Sequence, residues 1–364
     1  MKTDQDNINK IKRLVIVTRK IIDDCSLENG GIVASDSTNQ NFPANAKNYF
    51  YVWPRDAAFT CLAANIMGLK NIQKNFFRWC LTRAEGFKSK GLFYEKYYPN
   101  GLKALFNFQP DQTGTVLYAV YDYCKLYPEE AQNPEIQELI TLATDGICNS
   151  WNGNNFTEIT NDLWEEKLCF PGLEENFTYS LAACIKGLSC SDLVIPTKRW
   201  MKTAREMKNR LDKHYDDYFV RSYGKLTDKR IDASILGLVY PFAIYDANNP
   251  KIVASINEIE KKLVCDGGVH RYENDEYDGW MYDGNHMNKG AGAWPILNFW
   301  MSIYYCLKGD EKNARKYYYT VLSGIKDNLY IPEQIFNNKL QVSVSPLLWS
   351  HVMFFLATKQ LKLI

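Results

Sequence analysis

Helical periodicity broken by connections of two alternating lengths is the feature that most restricts this chain. Apolar residues recur at helical spacing along nearly its whole length. Ile8, Ile11, Leu14, Val15, Ile21 and Ile22 form one such stripe, and Ala314, Tyr317, Tyr318, Val321, Leu322 and Ile325 another. The pattern predicts twelve helices, over 8–23, 56–67, 69–84, 111–126, 132–149, 174–190, 194–212, 232–240, 250–263, 292–307, 310–325 and 345–361. Strand signals are short, as around 50–53 and 270–272. Helices two and three meet at Met67-Gly68-Leu69, four and five across 126–130, six and seven near 191–193, and ten and eleven at Leu307-Lys308-Gly309-Asp310. Gly68 and Gly309 suit the left-handed residue that closes a tight helical hairpin. Long connections occupy 24–55, 85–110, 150–173, 213–231, 264–291 and 326–344.

Among antiparallel neighbours, this alternation gathers all six long loops at one end. Twelve such helices close naturally into two concentric rings of six, an all-α (α/α)6 barrel; the open alternative is a bundle without closure. The even-numbered helices would form the inner ring, with their N-termini and positive dipole ends at the shared mouth. Loops on a rigid scaffold are where sites sit. No composition shift marks a boundary, so 1–364 reads as a single domain.

A chain of 364 residues that is 46% hydrophobic can bury a large core. Its net charge is +1 with no basic stripe, which argues against nucleic acid or an anionic membrane as partner. No apolar run is long enough to span a bilayer. The opening MKTDQDNINKIKRL lacks the apolar core of a signal peptide. The ten cysteines are scattered without a CxxC pair, and His214, His270, His286 and His351 show no metal spacing. Reduced buried thiols, a cytoplasmic setting and no metal or cofactor are therefore expected. Without a secretion signal, the sequons at Asn155 and Asn176 carry little weight. Aromatics reach 14%, with 24 Tyr and 9 Trp. A large core and stacking on sugar rings both explain that excess.

The long loops hold the chemistry. The first ends Tyr49-Phe50-Tyr51-Val52-Trp53-Pro54-Arg55-Asp56, material for a sugar floor or for a helix cap with a salt bridge. The second ends Phe108-Gln109-Pro110-Asp111, where Asp111 suits a helix cap. The third holds Asp162-Leu163-Trp164-Glu165-Glu166. A carboxyl beside an indole and a second carboxylate has its charged form disfavoured, as a general acid needs; a solvated acidic turn would read the same. The fifth holds His270-Arg271-Tyr272-Glu273 through Tyr277, and the sixth places Glu333 in Ile331-Pro332-Glu333-Gln334. Each run alone also reads as ordinary surface. Jointly, carboxylates on loops three and six of a six-fold ring face each other across one mouth, as glycoside hydrolysis requires.

At these residues the chain resembles glycoside hydrolase family 15, the glucoamylases and their relatives. YFYVWPRD (49–56), DLWEE (162–166), HRYENDEY (270–277), PEQ (332–334) and LLWS (347–350) match its motifs in order over nearly the whole chain. The resemblance implies the (α/α)6 barrel and a pocket for one terminal glucose of an α-glucan or oligosaccharide. It implies Glu165 as general acid and Glu333 as the base that activates water. It implies Arg55, Asp56 and Arg271 as glucose ligands, Tyr49 as support near the water, and Glu166 at the next subsite. Trp53, Trp164, Trp294, Trp349 and Tyr277 would complete the pocket. Two departures stand out. The N-terminal β-sandwich domain usual in bacterial and archaeal relatives is not expected here, and Phe108 stands where relatives commonly place Trp. The resemblance implies an inverting exo-acting α-glucosidase. A trehalase or an α-1,6- or α-1,3-glucosidase of the same family is the nearest alternative. A non-catalytic glucan-binding or regulatory barrel is the other. Oligomeric state is not legible.

Overall fold

The computed structural model describes residues 4–279, 290–338 and 341–364; His286 of the sequence reading lies outside them. Twelve α-helices follow in order: α1 (Asp4–Cys25), α2 (Pro54–Ile66), α3 (Lys70–Thr82), α4 (Phe87–Lys90), α5 (Pro110–Leu126), α6 (Pro134–Asn149), α7 (Thr178–Val194), α8 (Lys198–Leu211), α9 (Pro250–Leu263), α10 (Pro295–Lys308), α11 (Glu311–Gly324) and α12 (Leu348–Gln360). A 3-10 segment, Ala233–Leu238, lies between α8 and α9. Among the described residues no helix is long and apolar enough to cross a membrane.

The chain closes into the expected (α/α)6 barrel. Contacts run in a circle from α2 to α5, α7, the 3-10 segment, α10, α12 and back to α2. A second ring wraps it: α1 packs on α12, α3 on α2, α6 on α5, α8 on α7, α9 on the 3-10 segment and α11 on α10. The two rings read differently. Helices α2, α7 and α12 are buried on nearly every face, as helices apolar all round must be. Outer helices carry a single apolar stripe. In α8 it is Trp200, Thr203, Ala204, Met207 and Leu211, with Lys and Arg filling most of the solvent side. All six inner elements begin at the end where the long loops gather, so backbone N–H groups point into that mouth.

The inner ring is tightest between α5 and α7. A Cβ on Gly114 would lie 2.4 Å from the Ala183 carbonyl, and one on Gly187 would lie 2.7 Å from the Gly114 carbonyl oxygen. Only glycine lets the two backbones meet there.

Several expected elements shift. The eighth helix (232–240) is the short 3-10 segment, capped by the Asp232 side chain on Ser234 N and passing Gly237 against the Tyr179 ring. The sixth begins four residues late because Asn176–Phe177 pairs with Ser222–Tyr223 as a two-residue antiparallel ladder. The twelfth begins at Leu348, three residues late. Leu347 N donates instead to Ile331 O (2.9 Å) and Leu348 N to Ala34 O (3.0 Å), tying that stretch to two loops. Asp111 is not a cap: Gln109 precedes α5, and Asp111 is buried in its first turn. The one-turn α4 had no signal in the pattern.

Gly114→Ala should destabilise the protein by about 1–3 kcal/mol, since backbone rather than a flexible side chain must yield. A urea midpoint equal to wild type would show that the α5–α7 approach tolerates a methyl group.

Candidate active site

The mouth narrows to a cavity of about 320 Å3. Its floor is the start of α2. Trp53 precedes the helix, Pro54 opens it, and Arg55 and Asp56 occupy its first turn. Arg55 is buried and reaches in three directions. Its guanidinium donates to Asp111 on α5 (3.2 Å), lies 3.4 Å from Asp56 and lies 3.8 Å from Glu165. It also sits 5.0 Å over the Trp349 ring at the start of α12. Burial pushes the Asp56 carboxyl up to about 6, partly countered by Arg55.

The third loop is shaped by Asp162. Its carboxylate accepts from Glu166 N (2.8 Å) and Lys167 N (3.0 Å), and Asp162 O accepts from Glu165 N (3.1 Å). The turn leaves Glu165 in the left-handed region, φ 63°. Asp162 in turn bonds the buried Arg221, whose Nε lies 3.2 Å from Asp232, and Asp232 accepts Trp164 Nε1 at 3.1 Å. The loop is thus pinned from beneath by a buried ionic chain.

Glu165 accepts a hydrogen bond from Trp53 Nε1 (2.6 Å) and lies 3.8 Å from Lys96 Nζ. Burial, and after it Glu95, raise its carboxyl to about 8 against the opposing pull of Lys96 and Arg55. Glu166 points to other partners, accepting from Arg271 (2.6 Å) and from the Tyr272 hydroxyl. Arg271 is clamped by Asp275 at 2.7 Å through two nitrogens. It faces the rings of Tyr277 and Trp294, each 4.9 Å away.

Glu333 enters from the last long loop, which α12 holds down. His351 Nε2 accepts from Ile331 N (2.9 Å), and Ser350 donates to Pro332 O (2.8 Å). Tyr49 donates to Glu333 Oε1 (2.7 Å), with Tyr277 3.3 Å behind it. Burial raises the Glu333 carboxyl to about 7, against the Tyr49 hydrogen bond and Arg271.

Glu165 and Glu333 therefore line one cavity, together with Tyr49, Trp53, Arg55, Asp56, Trp164, Glu166, Arg271, Tyr277, Trp294 and Trp349. Phe108 does not. Its backbone pairs with Tyr94 and Thr160, which turns its ring under the wall against Phe156, 5.9 Å away. Its neighbours Leu105 and Asn107 line the wall instead. The sequence reading missed Glu95 and Lys96, also on the wall. The signal was there: Leu92–Tyr98 mixes aromatics with a charge pair, as the other site motifs do.

Among the described residues, Asp56 Oδ2, Glu333 Oε2 and the indole nitrogens of Trp294 and Trp349 have no hydrogen-bond partner. Buried polar atoms seldom stay unpaired. Acceptors and donors set between aromatic walls suit a polyhydroxylated ring, whose C–H faces stack while its hydroxyls bond. Among the described residues no cluster of His, Cys, Asp and Glu is arranged to hold a metal ion.

The family model for glycosyl hydrolases family 15 matches residues 12–358. The chain belongs to that family. It is 29% identical to an uncharacterized glycosyl hydrolase of Methanocaldococcus jannaschii, over 90% of this chain and 52% of that one. It is 23% identical to trehalase 2 of Sulfolobus acidocaldarius, over 84% of this chain and 56% of that one. The chain thus spans about half the length of these two relatives. Among solved structures, a wild-type glycosidase superposes with a TM-score of 0.82 over the whole of both chains, at 19% identity. That likeness establishes the barrel.

Asp232→Ala would leave Trp164 Nε1 unpaired and Arg221 half-matched in a buried site. It should cost about 3–5 kcal/mol. Denaturant titration reads this directly; a loss under about 1 kcal/mol would mean that water replaces the carboxylate.

Proposed function

We propose that this family 15 member is an inverting, exo-acting α-glucosidase of glucoamylase type. It would release β-D-glucose from the non-reducing ends of α-glucans or malto-oligosaccharides. The observation that carries the reading is the pair Glu165 and Glu333 on one cavity, set among aromatic walls and the buried Arg55 and Arg271. A cavity of about 320 Å3 is at the small end for ligand sites. It suits a chain end rather than a cleft across a polymer's middle, which supports exo action.

In this mechanism the Glu165 carboxyl gives its proton to the glycosidic oxygen as the C1–O bond breaks. Glu333 takes a proton from a water that attacks C1 from the opposite face, so the configuration inverts. Tyr49 holds the Glu333 carboxylate through its hydroxyl and steadies it as a base. Arg55, Asp56 and Arg271 bind hydroxyls of the terminal ring, Trp53 and Trp349 stack on it, and Glu166 serves the next unit. Inversion further requires that the two carboxyls stand about 6.5–9.5 Å apart.

The similarity to a trehalase favours one second reading, hydrolysis of trehalose by the same two carboxyls. Maltose, maltotriose, isomaltose and trehalose supplied side by side decide between them. Glu165→Gln and Glu333→Gln should each lower kcat by about 10²-fold or more while folding as wild type; normal turnover in either would end these assignments. The first anomer seen by proton NMR should be β-glucose, and α-glucose would exclude inversion.

The two raised carboxyls also set a pH window. The base must be ionised, so activity falls below about 7. The acid must be protonated, so it falls above about 8. A narrow bell in kcat/KM between those values is expected; a broad plateau extending into acid would count against a buried Glu333 as base.

A further inference from the structure

We propose that Glu95 is a positioning residue for the reaction above: its buried carboxylate holds the transferable proton on Glu165. The inference rests on the reading of Glu165 as the acid.

Glu95 is 1% exposed, yet it reaches the cavity wall beside Glu165. It has three donors. Asn107 and Asn161 both donate side-chain amides to its Oε2, at 3.1 and 2.9 Å, and Lys96 Nζ lies 3.3 Å from its Oε1. The same lysine lies 3.8 Å from Glu165 Oε2. Two carboxyls therefore compete for one ammonium, and they compete unequally. Glu95 has two amides and the nearer contact to Lys96. Glu165 has one indole donor and two cations at 3.8 Å. Glu165, with the fewer and more distant donors, is the better place for the proton. It is also the one turned towards the cavity in left-handed backbone.

The charged and titratable groups facing Glu165 are Arg55 from α2, Lys96 and Glu95 from the connection before α5, and Tyr277 from the connection before α10. Of these, Glu95 is the strongest influence after burial that raises its carboxyl. A proton held this way is not spent on Glu95. It leaves from Glu165 to the glycosidic oxygen, and the acid is recharged from solvent through the cavity.

Glu95→Gln keeps an oxygen for the two asparagines and removes the charge. The alkaline limb of kcat/KM should move to lower pH by about one unit or more, with the acid limb in place. Lys96→Gln should move the same limb upward, and it serves if Glu95→Gln does not fold. An alkaline limb unmoved in Glu95→Gln, even with a lower rate at every pH, overturns the proposal. So does a Lys96→Gln limb that stays or falls. Full turnover by Glu165→Gln would instead sink the reading beneath it, whatever Glu95 does.

Discussion

A guanidinium removed from water must be matched by carboxylates, and Arg55 is the one on which the inner ring converges. Its partners come from three places: Asp56 beside it on α2, Asp111 on α5 and Glu165 on the third long loop. An unmatched buried charge costs several kcal/mol. The arrangement therefore couples closure of the barrel to assembly of its mouth. Loosening α5 from α2 would strand the charge, and so would lifting the third loop. The Gly114–Gly187 approach draws α7 against α5 and so holds the same wall in register.

Around that charge the cavity is crowded with carboxyls that differ in what surrounds them. Asp111 and Asp56 share Arg55. Glu166 is given to Arg271 and Tyr272. Glu165 and Glu333 keep fewer donors and are the two pushed furthest up, to about 8 and about 7. Burial dominates both shifts, so the shape of the cavity, more than any one neighbour, prepares them. The neighbours set the order: a like charge at Glu95 lifts Glu165, whereas the Tyr49 hydroxyl restrains Glu333. Separating two equal side chains by environment is how one site holds both an acid and a base.

The ring architecture was legible because it depends on quantities that a sequence carries, the apolar period and the lengths of connections. The aromatic and charged motifs were legible because their residues meet the cavity from loop ends next to inner helices, where sequence position nearly fixes spatial position. Phe108 broke that rule. A backbone bridge to Tyr94 and Thr160 rotates its ring away, and no local pattern encodes the partner strand. The eighth expected helix, fourth in the inner ring, was read as α-helix because its composition is apolar, yet it is a single 3-10 segment closed before Pro241. The chain Asp162–Arg221–Asp232–Trp164 spans seventy positions and joins residues that look ordinary where they stand. Glu95 likewise depends on a distant partner, the Asn161 amide that donates to it.

Glu165 and Glu166 show what the left-handed turn accomplishes. Neighbouring side chains in extended backbone point to opposite faces, and in helix about 100° apart; neither would send one carboxyl to the cavity wall by Lys96 and the other to Arg271. A left-handed residue other than glycine costs roughly 1–2 kcal/mol, and such strain persists only where its surroundings over-determine it. Here they do: three hydrogen bonds to Asp162 fix the turn, and Arg221 fixes Asp162. The loop that looks like a solvated acidic turn in sequence is thus one of the most constrained in the molecule. Its constraint is what sends one of two adjacent glutamates towards Lys96 and the other to Arg271.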